Sequence, residues 1–216
     1  MGNQFKEIRL RAFILGLFLL SLNAHWTLVL ESIWYAWPTD AVPFSTVIVL
    51  IFFVGILNVP FQKLFPKIAL NYGEIITLYI MMSISSGIAN WNMLAAAIPL
   101  AGHAFWFATP ENEWKQLIWQ YLPDWLTIWD YQVLRDYYEG KSSFFSSQYV
   151  RVWAWPILAW TAFSSVFFGT MVLISALLRK QWVDHERLTF PVIQMPGAMM
   201  NPQSGFFQSR LMWIGF

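Results

Sequence analysis

The chain has 216 residues, of which 57% are hydrophobic and only 12% charged, with a net charge of +1. A soluble domain carries about 25% charged residues, so the composition argues for lipid as solvent, and the near-neutral charge gives no reason to invoke nucleic acid. There is no cysteine, hence no disulfide, thiolate metal site or cysteine nucleophile, and three histidines are too few for a His-rich metal centre.

A helix needs about 20 mostly apolar residues to cross a hydrocarbon layer about 30 Å thick. Four runs qualify, at residues 12–33, 44–61, 74–100 and 152–178. They are continuous and too long for alternating barrel strands. The first run, preceded by basic residues, could also be a signal peptide, but Leu22 in "LNA" occupies a place that wants a small residue. The final "RLMWIGF" reads as the entry to a fifth span over 211–216, so the sequence reads as the N-terminal piece of a longer protein. The expected fold is an all-α polytopic membrane helix bundle, with residues 1–216 as one part of a single transmembrane domain.

Charge placement supports four spans. Lys6, Arg9, Arg11, Lys63, Lys67, Arg179, Lys180, Arg187 and Arg210 fall on one side, against Lys115, Arg135, Lys141 and Arg151 on the other. The positive-inside rule then sets the N-terminus and the loop 179–210 in the cytoplasm and the loop 101–151 outside. The expected location is the inner, cytoplasmic membrane.

Polar residues at membrane depth are the candidate site, because a polar group facing lipid costs several kcal/mol. In the first span Gly16, Leu20, Asn23, Thr27 and Glu31 form one stripe at 100° per residue, with His25 nearly opposite. Asn23 and Thr27 can be interhelical hydrogen-bond glue with Glu31 at the headgroups, or Glu31 or His25 can line a substrate or proton path. The third span holds Ser83, Ser85, Ser86, Gly87, Asn90 and Asn92 at its centre. Gly87 marks a weak point there, as in interrupted transporter helices; Ser83 and Gly87, four apart, equally suit close helix packing. The stripe is expected to meet the third span near Ser86 and Asn90. Glu74 opens that span and favours a helix N-terminus. In the fourth span Thr161, Ser165 and Gly169 read as a packing seam, and Pro156 as a first-turn proline.

In the outer loop, Thr109 as cap with Pro110 and Glu111 after it predicts a helix whose Trp114, Leu117, Ile118 and Tyr121 share one face. Asp130 as cap and Gly140 as stop predict a second. Two amphipathic helices on the outer membrane surface, with tryptophans at headgroup level, account for this loop; a sugar-binding platform of Trp beside Asp and Glu is the alternative. No nucleophile–base pair or phosphate-binding glycine motif is legible, so the chain is not expected to be an enzyme, and neither cofactor nor metal is expected.

After the fourth span, "RKQWVDHERLTFPVIQMP" resembles the charged-loop motif of the oligopeptide transporter superfamily, matched here by Leu188, Thr189, Phe190 and Pro191. Val192 and Ile193 stand where that superfamily has Ser-Gly or Glu-Gly. "NYGEIITLYIMMS" is similar to its early segment with a glutamate opening a helix, here Glu74. "GHAFWFATPENEW", "YYEG" and "HERLTFPVIQMP" resemble a group of large, poorly characterised bacterial membrane proteins related to that superfamily. The resemblance implies many further helices and a secondary transporter of a small polar solute, a peptide or metal chelate, coupled to a proton or cation. A non-transporting membrane scaffold or partner subunit is the alternative. Arg187 to Pro196 is expected to dock against the bundle, with Asp184, His185 and Glu186 at its wet mouth.

Overall fold

A computed structural model of the chain describes residues 8–140, 143, 146–201 and 204–215. Lys6 and Lys141 of the charge reading lie outside the described residues. The described residues form helices joined by turns, with no strand among them. Four helical stretches are long and apolar enough to cross a membrane: Leu10–Ser32, Ser45–Leu64, Tyr72–Trp106 and Ser147–His185. The chain divides into two compact units, Met1–Ala95 with Thr189–Phe216, and Ala96–Leu188.

The first unit is built on α1 (Leu10–Ser32), α2 (Ser45–Leu64) and α3 (Tyr72–Ala89). Helix α1 is inside-out by the standards of a soluble protein. It buries Ala12, Gly16, Leu19, Asn23, Thr27 and Glu31, while Leu10, Phe13, Ile14, Leu17, Phe18 and Leu22 are exposed. Length and apolar character of this kind are those of a helix able to cross a membrane. Leu19, rather than the expected Leu20, completes the buried stripe. Gly16 leaves the space that the Met81 side chain of α3 fills, since a Cβ there would run into its sulfur.

The turn between α2 and α3 is pinned by one side chain. Asn58 Nδ2 donates to the Leu70 carbonyl at 3.0 Å, and Leu70 N–H donates to Asn58 Oδ1 at 2.8 Å. Helix α3 then starts on a capping box, with Glu74 N–H on Asn71 Oδ1 and Asn71 N–H on Glu74 Oε2. The core joins Leu19 of α1, Val47 and Ile51 of α2, and Ile75, Leu78 and Met82 of α3.

The third run is not the single helix expected over 74–100. It breaks at Asn90, whose ψ of 166° is extended, and resumes as α4 (Leu94–Trp106). The weak point is therefore Asn90, three residues beyond Gly87, which stays helical. The reason is local competition for hydrogen bonds. Asn90 Nδ2 binds the Gly87 carbonyl at 2.9 Å, and its Oδ1 accepts Met93 N–H at 3.0 Å. The amide side chain thus replaces backbone partners on both sides of the break.

In the second unit, Asp130 caps α6 (Tyr131–Glu139) through Val133 N–H at 3.1 Å, and Gly140 stops it at φ 75°, as the sequence reading expects. The helix expected from Thr109 is different. Asn112 takes over the capping, accepting Thr109 N–H at 3.0 Å and Trp114 N–H at 3.1 Å. Only a four-residue α5 (Trp114–Leu117) forms, followed by a 3-10 turn over Trp119–Tyr121. The change from α to 3-10 geometry between Leu117 and Trp119 interrupts the expected face, and its Leu117 and Tyr121 are exposed. Trp106 stacks on Tyr131 and Tyr138, and Tyr138 Oη donates to the Pro99 carbonyl at 2.9 Å. Trp153, expected at headgroup level, is buried with Ala101, Ile128, Val133 and Leu134.

Helix α7 spans Ser147–Lys180. It starts five residues before the expected span, which puts Pro156 in its interior rather than its first turns. The Thr161, Ser165, Gly169 seam meets no neighbour. All three are exposed, Ser165 donates back to the Thr161 carbonyl at 2.7 Å, and nothing lies near a Cβ built at Gly169.

Back in the first unit, α8 (Pro191–Met200) begins on Pro191 and buries Met199 and Met200 in the core. The contact with the core thus lies beyond the segment 187–196 expected to dock, in which only Pro196 is buried among the described side chains. Leu188, Phe190, Ile193 and Met195 are exposed, as are Thr189, Asp184, His185 and Glu186. A six-residue α9 (Arg210–Gly215) follows.

Candidate functional site

Helices α1 and α3 run parallel, joined at their start by Arg9, Arg11 and Glu74 and at their far end by Glu31 and Trp91. Between these ends lies a column of buried polar side chains. Asn23 is fully buried, and its Nδ2 donates to Ser86 Oγ at 2.7 Å and to the Met82 carbonyl at 3.2 Å. Its Oδ1 is buried and has no hydrogen-bond partner. One turn on, fully buried Thr27 faces Thr46 of α2, with hydroxyl oxygens 3.4 Å apart. Another turn on, Glu31 is 1% exposed. Beside the column, Ser85 Oγ donates to the Leu20 carbonyl at 2.9 Å.

The Glu31 carboxylate links three segments. Oε1 accepts from the Thr39 hydroxyl of the α1–α2 loop, and Oε2 accepts from Trp91 N–H at 2.5 Å. That amide is the one an unbroken α3 would spend on the Gly87 carbonyl. Asn90 occupies that carbonyl, and Glu31 receives the freed N–H, so the break and the carboxylate stabilise each other. Trp37 packs edge-on against Trp91, centroids 6.1 Å apart, at the same end.

Of the sequence candidates, Asn23, Thr27, Glu31 and Ser86 come together. Asn90 belongs to the same end through the break, and makes no contact with Asn23. His25 is exposed on the outer face of α1, and Asn92 is exposed beyond the break; neither joins the column. Thr46 is absent from the sequence candidates, because a hydroxyl at the start of an apolar run lacks the mid-span position and helical spacing that single out Thr27. Thr39 and the Trp91 amide were also missed. Thr39 sits in a loop with no periodicity to read, and the Trp91 amide becomes available only because the helix breaks.

Glu74, expected to favour a helix N-terminus, does more. It is fully buried and ion-paired to Arg9 Nε at 2.8 Å and Arg11 Nη2 at 3.0 Å. Glu74 and the exposed Leu188, Thr189 and Phe190 lie outside the column. Among the described residues no group of three His, Cys, Asp or Glu side chains could hold a metal ion.

Chemically, the column offers neutral oxygens and one carboxylate. Such oxygen ligands suit a proton, a hard cation or a hydrogen-bonding solute.

No curated protein and no solved structure matches the chain. A family model described as a family of unknown function (DUF6785) matches residues 3–216. The chain therefore belongs to the DUF6785 family.

Proposed function

We propose that the chain is part of a multi-pass secondary transporter of the cytoplasmic membrane, similar to the oligopeptide transporter superfamily, with its N-terminus in the cytoplasm. It moves a small polar solute, a peptide or metal chelate, coupled to a proton or cation. One observation carries this reading: the fully buried Asn23–Thr27–Glu31 column within an otherwise lipid-compatible helix. Helix cohesion alone does not call for a carboxylate there, because Glu31 is 1% exposed and burying an ionisable group is costly. The column also ends at a broken helix, the kind of element around which transporter substrate and ion sites are built, although here Asn90 and Glu31 take up the groups the break releases. The Glu31 carboxylate is the group that would carry the coupling ion, and the unpartnered Asn23 Oδ1 the group that would accept a donor from the solute.

The alternative is a membrane scaffold, favoured by the bonds Glu31 already makes to Thr39 and Trp91. Uptake of labelled peptides and metal chelates into vesicles containing the intact protein, under an imposed proton or sodium gradient, separates the two. Gradient-driven accumulation of any of these solutes supports the transporter. Its absence across the panel, with the protein folded, favours the scaffold.

A further inference from the structure

We propose that Arg9 and Arg11 form a docking site for the phosphate headgroup of an anionic phospholipid, with the acyl chains along the apolar residues beside them. The two guanidiniums use the same acceptors. Arg9 Nε and Nη2 donate to Glu74 Oε1 and Oε2 at 2.8 and 3.0 Å, and Arg11 Nε and Nη2 donate to the same oxygens at 3.1 and 3.0 Å. Both Nη1 groups donate to the Lys67 carbonyl, at 2.9 and 3.2 Å. Both Nη2 groups also reach the Ala69 carbonyl, at 3.1 and 2.6 Å.

Two positive charges therefore share one carboxylate. The carbonyls contribute dipoles and no charge. Glu74 Oε2 also accepts Asn71 N–H, so the carboxylate has no capacity left for further donors. Each guanidinium has five N–H donors, and the contacts above leave one Nη1 hydrogen free on each. The arginine side chains are 43% and 32% exposed, so an outside anion can reach them. No second carboxylate pairs with them among the described residues. The exposed Lys67 adds to the same field.

The surroundings select a lipid over a free anion. Leu10, between the two arginines, Ile68, between the two carbonyls, and Phe65, two residues before Lys67, are 74%, 61% and 54% exposed. A phosphodiester on two guanidiniums with hydrocarbon on those side chains uses both features; inorganic phosphate uses only the charge. The site stands whether or not the protein transports anything.

The test is a titration of the intact protein in detergent with phosphatidylglycerol, phosphatidylcholine or inorganic phosphate, read as thermal midpoint and as lipid retained in native mass spectrometry. Phosphatidylglycerol is expected to raise the midpoint and stay bound, and the other two to do neither. Arg9→Gln and Arg11→Gln each leave one guanidinium on one carboxylate, so both should fold, with apparent affinity for phosphatidylglycerol lowered about fivefold. Arg151→Gln, in the other unit, should leave it unchanged. If either glutamine variant fails to fold, Lys67→Gln, which removes only an exposed charge, should show a weaker response than wild type. An equal response to phosphatidylcholine or to phosphate overturns the lipid site, as does wild-type affinity in both arginine variants.

Discussion

At the scale of single residues, the column is a set of desolvated polar atoms whose local balance can be tested. Asn23→Leu gives up two hydrogen bonds, each worth about 1 kcal/mol net, and also removes a buried acceptor with no partner, which costs about 1–3 kcal/mol to keep. The variant also strands the fully buried Ser86 hydroxyl, which offsets the removal of the unpartnered acceptor, so the two lost bonds stand. It should be destabilised by about 2 kcal/mol in a thermal or denaturant titration, while uptake by the folded protein falls at least about tenfold, the loss expected from one solute hydrogen bond. A folded variant with full uptake would mean that Asn23 is glue. Glu74→Gln acts on a charge instead. It leaves two guanidiniums without their counter-ion and should destabilise by roughly 2–3 kcal/mol, the low end for a buried pair because the arginines are half-exposed.

At the scale of elements, α1 packs against α3 at Gly16, and α3 depends on its break. Gly16→Val pushes a side chain onto the flexible end of Met81, which can turn aside, so the cost should stay at the low end of overpacking, about 1 kcal/mol, read as a slightly lower thermal midpoint. In the second unit, α6 sets a pH window. The Tyr149 hydroxyl, 2.5 Å away, is the main group holding Asp136 below the usual carboxylate range. A depressed carboxyl stabilises the fold above its unfolded value, about 3.9, and that contribution is lost as pH falls through the lower folded value. At the alkaline end, burial and then neighbouring Tyr137 push the Tyr138 hydroxyl up to about 12. Its contribution is complete below about 10 and is lost as pH rises through 12. Absorbance at 295 nm should show a late tyrosine titration that Tyr138→Phe removes. The sequence makes the inward stripe of α1 legible, because Asn23, Thr27 and Glu31 recur at helical spacing in a run where lipid forbids them the outside. It does not reveal that the break falls at Asn90. That outcome depends on a side-chain amide outcompeting the backbone, and on Glu31, 60 residues away in sequence, receiving the Trp91 amide. The Arg9, Arg11 and Glu74 cluster is illegible for the same reason: charge counts show sides of a membrane, not partners.

At the scale of the whole molecule, the arrangement is a set of apolar-faced helices, in which α7 offers nearly all of its apolar surface outward. The distribution of basic residues makes the expected sidedness testable. The chain is free of cysteine, so single cysteines at the exposed Gln120 and Gln208 can report it. An impermeant thiol reagent applied to intact cells, with any outer membrane permeabilised, should label Gln120→Cys and spare Gln208→Cys; the reverse pattern would invert the topology. If the buried column carries the coupling ion, Glu31→Gln separates coupling from solute binding. Glutamine keeps the shape and one acceptor of the carboxylate but cannot carry a proton or hold a cation by charge. Vesicles containing equal amounts of folded wild-type or Glu31→Gln protein are loaded with solute, and gradient-driven accumulation is compared with gradient-free solute exchange. The account predicts that Glu31→Gln loses accumulation and keeps exchange; accumulation at the wild-type rate would contradict it.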